Sequence, residues 1–130
     1  MKPNSPHIRE IGEKEFKLEV LGSGQPVLVA FLAPWSRPCQ KIRSTLKQVA
    51  AACGERLRLA IVNVDDYPDL GVWYDIQSIP TVLCFVGETE RARIVGTASL
   101  RAVMSKLEPV IGARKPAGPV GTAPAESKNL

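Results

Sequence analysis

Apolar positions along this chain switch between two periods, and the switching sorts it into strands and helices. Residues 8–11 suit a short edge strand. From 13 to 21, Phe16 and Val20 lie four apart with Leu21 beside them, the spacing of a helix face. Gly22, Ser23, Gly24, Gln25 and Pro26 then make a turn. Residues 27–33 (VLVAFLA) are continuously apolar, as a strand buried on both faces requires. Between 37 and 53, Ile42, Leu46, Val49, Ala50 and Cys53 recur at helical spacing, and Gly54 is a natural stop. Residues 57–64 (LRLAIVNV) return to a β-branched, strand-like run. Asp65, Asp66, Tyr67 and Pro68 turn the chain into a short helix through Tyr74, with Trp73 and Tyr74 expected as its core and rim. Residues 81–86 and 91–95, separated by Gly87 and Glu88, read as a hairpin. Ser99 caps a last helix with Leu100, Val103, Leu107 and Val110 on one stripe.

The predicted order is β-α-β-α-β-α-β-β-α. Helix-linked strands imply parallel pairs and the late hairpin adds antiparallel ones. The expectation is an α/β fold with a mixed central sheet and helices on both faces. Residues 1–6 are a short, flexible start and 7–112 one domain. Residues 113–130 carry Pro116, Pro119, Pro124, Gly118 and Gly121 with few large apolar side chains. Such a stretch buries too little surface to offset its ordering entropy, so a disordered tail is expected.

Composition narrows the function only slightly. The chain has 130 residues, 45% of them hydrophobic, and a net charge of +4. That is ordinary globular composition, and basic residues interspersed with acids give no footprint for nucleic acid. No run of about 18 apolar residues exists, so no membrane span is expected. Three cysteines make an odd number, which argues against a disulfide framework and fits a reducing, cytoplasmic setting. His7 is the lone histidine and no metal-ligand spacing is visible, so neither a metal nor another cofactor is expected.

The chemistry concentrates in two places. Ala33-Pro34-Trp35-Ser36-Arg37-Pro38-Cys39 sits where a buried strand ends and a helix begins, the end of an open sheet at which ligands collect. Ser78-Ile79-Pro80-Thr81 immediately precedes a strand, where proline marks a turn, a strand start or a cis bond. On these residues the chain resembles the thioredoxin family, which carries Trp-Cys-Gly-Pro-Cys after its central strand and Ile-Pro-Thr about 40 residues later. Trp35, Pro38 and Cys39 match, as do Ile79, Pro80 and Thr81, with Asn63, Asp65 and Gly96 in support. The resemblance covers roughly residues 7–112. It implies a thioredoxin fold, a cis Pro80 and a place in cell redox homeostasis.

Three departures bear on function. The family's first cysteine is its nucleophile, and Ser36 stands there. A serine hydroxyl is a far weaker acid than a thiol and forms no S–S bond, so a dithiol/disulfide cycle between 36 and 39 is impossible in this chain. Ala30 and Ile61 occupy positions where the family usually buries an Asp and a Lys implicated in proton transfer. No other cysteine obviously replaces the lost one. Cys39 and Cys53 are about 21 Å apart on a continuous helix, beyond the ~7 Å a disulfide spans. A bond between Cys39 and Cys84 stays open, although free cysteines are commonly small buried hydrophobes. Ser36 also has a purely structural reading, as the cap of the helix that follows.

Two classes of function are therefore expected. The first is a polypeptide-binding module, chaperone-like or scaffolding. The resemblance implies a groove of Trp35, Arg37, Pro38, Ile79, Pro80, Val95, Gly96 and Thr97 that takes extended segments of client or partner proteins by strand addition. The second is a thiol–disulfide oxidoreductase working through Cys39 alone, with Ser36 donating a hydrogen bond and Arg37 and the helix start favouring attack. A third reading takes Ser36 as an engineered replacement for cysteine in an active protein-disulfide reductase, against which Ala30 and Ile61 weigh. A monomer is expected.

Overall fold

The structure is a computed structural model that describes residues 8–112. The expectations for residues 1–7 and 113–130, His7 among them, lie outside the described residues. Five strands make one mixed sheet: β1 (Ile8–Glu10), β2 (Val27–Leu32), β3 (Arg58–Asn63), β4 (Thr81–Val86) and β5 (Thr89–Val95). Their spatial order is β1-β3-β2-β4-β5. β1, β3 and β2 run parallel, while β4 runs antiparallel to both β2 and β5. The helices are α1 (Glu13–Glu15), α2 (Arg37–Cys53), α3 (Pro68–Trp73) and α4 (Leu100–Ile111). The expected element order is borne out.

Strand alternation builds two cores. Leu28, Ala30 and Leu32 of β2 join Leu59 and Ile61 of β3 and Val82 and Cys84 of β4 on one face. There α2 contributes Ile42, Leu46, Val49 and Cys53, and α4 contributes Val103 and Leu107. Val27, Val29 and Phe31 face the other way, with Ala60, Val62, Leu83 and Phe85. Phe16, Val20 and Leu70 cover that side. A strand that must satisfy two apolar layers has no polar position to spare, which is why β2 reads as an unbroken hydrophobic run.

Three details differ from the sequence pattern. The first helix keeps α geometry only over Glu13–Glu15 and continues as a π-helical stretch over Phe16–Leu21. The wider turn, closed by Gly22 N–H donating to Lys17 C=O at 3.0 Å, keeps both Phe16 and Val20 buried over the sheet. β5 starts at Thr89 rather than 91, because Cys84 pairs with Ala92 and Phe85 with Glu90, leaving Arg91 as a bulge. A bulge shifts the two-residue alternation, so the pattern before it is lost in sequence. Finally, Trp73 is no core residue: it is 58% exposed. α3 buries Leu70 and Gly71, and the residue four beyond Leu70 on the same face is Tyr74. The Tyr74 ring packs 5.2 Å from Phe16 and 5.3 Å from Phe85, centroid to centroid.

Gly12, at the start of α1, is fixed by a close approach. A Cβ there would lie 2.6 Å from the Tyr67 ring ahead of α3.

Candidate functional site

The topology brings four segments to one end of the sheet. β2 and β3 finish there, antiparallel β4 begins there and β5 ends there, with Thr81 paired to Val95. The loop before α2, the Asn63–Asp65 turn, the Ile79–Pro80 dipeptide and Gly96 therefore meet, although up to 60 residues separate them in sequence. Every proposed site residue falls in this cluster of loops and helix start.

Ser36 is the cap of α2. Its backbone is extended, and its Oγ accepts from the Cys39 N–H at 3.3 Å. Cys39 is the third residue of the helix, where an otherwise unpaired N–H needs such a partner. Pro38, at the second position, has no N–H to leave unsatisfied. Ser36 is 6% exposed and Cys39 1% exposed, so neither side chain stands open to solvent. The Cys39 sulfur accepts from the Ala33 N–H at 3.5 Å. Gln40 Nε2 donates to the Pro34 carbonyl at 3.2 Å and ties the helix start to the preceding loop.

Below this corner the interior is apolar. Ala30 pairs in register with Ile61 on one side and Val82 on the other, and all three share the Cys39 core. No charge lies at positions 30 or 61 to move a proton toward the sulfur. Cys39, Cys53 and Cys84 are all free and buried, so the structure contains no Cys39–Cys84 bond. Burial pushes the Cys84 thiol up to about 11, and it raises Cys53 as well. Both remain neutral thiols in the folded protein at physiological pH. Cys53 Sγ lies 3.9 Å from Met104 Sδ, within the core.

The rim around the corner is built differently. Trp35 is 70% exposed, and its Nε1–H donates to Asp65 Oδ2 at 2.9 Å. Asp65 is itself held by its N–H donating to Asn63 Oδ1 at 2.9 Å. The sequence named Asp65 as a family match but gave it no role. The signal was present in an acid directly after a buried strand, but its partner 30 residues away was visible only in three dimensions. Ile79–Pro80 is cis. The Pro80 carbonyl accepts from the Gly96 N–H at 2.8 Å, and Thr81 Oγ1 donates to the Ser78 carbonyl at 2.7 Å. Gly96 has φ +87°, a left-handed conformation that a side chain disfavours, although open space surrounds its Cα. Ile79 makes no backbone–backbone hydrogen bond among the described residues. Val95 and Thr97 are exposed beside it, as are Arg37 and Pro38 at the helix start.

This arrangement is similar to known proteins over nearly the whole domain. The family model Thioredoxin matches residues 7–109. The chain belongs to the thioredoxin family. It is 36% identical over 101 residues to a thioredoxin of Griffithsia pacifica, covering 78% of this chain and 93% of that protein. It is 38% identical over 95 residues to a thioredoxin of Acidithiobacillus ferridurans, covering 73% and 88%. Thioredoxin 1 of Nostoc sp. is 33% identical over 99 residues, covering 76% and 92%. Membership places the chain among proteins of thiol redox chemistry, and the fold inferred from Trp35, Cys39 and Ile79-Pro80-Thr81 is the family's fold. Among the described residues, no helix is long and apolar enough to cross a membrane.

Proposed function

We propose that this thioredoxin-family protein does not run a dithiol cycle and instead binds extended polypeptide segments, in a chaperone-like or scaffolding role. The observation that carries the reading is the contrast at one site. The hydroxyl of Ser36 is used as a helix cap and Cys39 is sealed from solvent, whereas the rim is open. Ile79 offers unpaired backbone beside exposed Val95 and Trp35, the requirements for adding a strand and seating its side chains. Three buried free thiols fit a reducing compartment such as the cytoplasm.

A second reading, a single-thiol oxidoreductase, draws on the Ala33 N–H that points at the Cys39 sulfur. Exchange also needs access to the sulfur, and Cys39 has almost none.

Insulin disulfide reduction with dithiothreitol as electron source, run alongside suppression of aggregation of a reduced client, tests the proposal. The native sequence is expected to show no turnover above the reductant alone. Cys39→Ala is expected to suppress client aggregation as well as the native chain does. Turnover by the native sequence, or loss of suppression in Cys39→Ala, overturns the proposal in favour of thiol chemistry.

A further inference from the structure

The outer face of α3 is apolar where a folded chain gains nothing from it. Val72 is 75% exposed and Trp73 58% exposed, side by side. The core does not need them, because Leu70 and Tyr74 close that layer. Single exposed apolar residues are ordinary, but a valine and a tryptophan at consecutive positions put two large apolar side chains in solvent on a helix of six residues.

The stretch of chain that carries the patch is acidic. Residues 59–90 contain six acids and no lysine or arginine, in a chain whose net charge is +4. Asp69 lies three residues before Val72 and four before Trp73, so all three share one face of α3. Asp66 is exposed just ahead of the helix. Neither Asp66 nor Asp69 has an ion-pair partner among the described residues. At the far end of α3 stands one cation, Arg93 of β5. It is turned to the Tyr74 and Asp75 carbonyls at the end of α3 and to Glu90, at 2.8 to 3.3 Å. Three of the other four acids of the segment are engaged, Asp65 by Trp35, Asp75 by Gln77 and Glu90 by Arg93, while Glu88 lies in the β4–β5 turn.

We propose that the outer face of α3 docks a polypeptide segment in which basic side chains flank a large apolar one. The apolar residue would cover Val72 and the edge of the Trp73 indole. Arginines beside it would reach the Asp66 and Asp69 carboxylates and stack on the indole face. This surface uses none of Trp35, Ile79 and Val95, although Asp66 adjoins Asp65, the partner of Trp35.

The probe is a short synthetic peptide alternating arginine with leucine, titrated into the full chain and followed by backbone amide chemical shifts. The largest shifts are expected over residues 66–73. Trp73→Ser and Asp69→Lys are each expected to weaken binding by at least ~10-fold, with the circular dichroism spectrum unchanged because both side chains face solvent. A peptide alternating glutamate with leucine should not bind. The proposal is overturned by shifts confined to Trp35, Ile79 and Val95, by equal binding of the glutamate peptide, or by variants that bind as well as the native chain. It is also overturned if sedimentation shows self-association that Trp73→Ser abolishes, which would assign the face to a second copy.

Discussion

At the end of β2, residues 36 and 39 supply one hydroxyl and one buried sulfur, over a layer made of Ala30, Ile61 and Val82. At the same end of the sheet, at the start of β4 and the end of β5, half-buried Ile79 and Gly96 and exposed Val95 line a rim over buried Pro80, whose carbonyl accepts from the Gly96 N–H. The two regions draw on different resources. A dithiol cycle needs particular atoms at particular side chains, and one oxygen in place of one sulfur removes the bond it turns on. A groove for extended chain needs backbone shape, which the surrounding packing enforces whatever the side chain at 36. On the proposed reading, loss of the cycle therefore does not entail loss of the groove.

The strongest way to break this comparison is to put charge back under the corner. Ala30→Asp buries a carboxylate among Leu28, Leu32, Ile42 and Val82 with no cation nearby. Urea unfolding is expected to show a loss of about 3–5 kcal/mol, the scale for an uncompensated buried charge. Adding Ile61→Lys, the in-register neighbour, should recover part of that loss. A tolerated single Ala30→Asp would mean that the layer is wetter than its packing indicates.

A smaller effect concerns the other sulfurs. Cys84 is fully buried and its thiol is pushed up to about 11 by desolvation, against about 9 for an accessible thiol. The raised value belongs to the folded state, so the contribution is fully present below pH 9 and is lost as pH rises toward 11. The native protein should lose on the order of 2–3 kcal/mol across that window from this group. Cys84→Ala should start from a lower stability and show a flatter decline. Equal slopes for the two proteins would show that Cys84 ionises as easily folded as unfolded, against its full burial.

Most of the fold was legible because its elements are written in local periodicity. The unbroken run of β2, the Ile42-Leu46-Val49 stripe of α2 and the caps at Ser36 and Ser99 need no distant information. The misreadings share one cause. Trp73 and Tyr74 are adjacent and both aromatic, and only the phase of a six-residue helix decides which enters the core; so short a helix carries too few apolar positions to fix that phase. The Arg91 bulge and the π-helical turn at Phe16–Leu21 each add a residue that alternation alone does not reveal. At the site, motif residues located the corner and the rim, while the Trp35–Asp65 contact joins two strand ends, and neither segment names the other as its partner.

That contact gives the finest test of the comparison, because it belongs to the rim and touches no sulfur. The Trp35 Nε1–H donates to an Asp65 carboxylate that is otherwise exposed, so its net contribution to stability should be small, about 1 kcal/mol or less. On the proposed reading its role is positional: it holds a 70% exposed indole against the end of β3 and limits the rotamers open to the ring. Asp65→Ala should therefore leave the urea midpoint nearly unchanged while weakening binding of an extended client peptide by about 3- to 10-fold through lost preorganisation. The reaction of Cys39 with a thiol label in the native protein should stay slow in both forms, since its burial comes from α2 and the sheet. If Asp65→Ala instead speeds labelling while leaving peptide affinity intact, Trp35 acts as a lid over the sulfur, and the division between corner and rim fails.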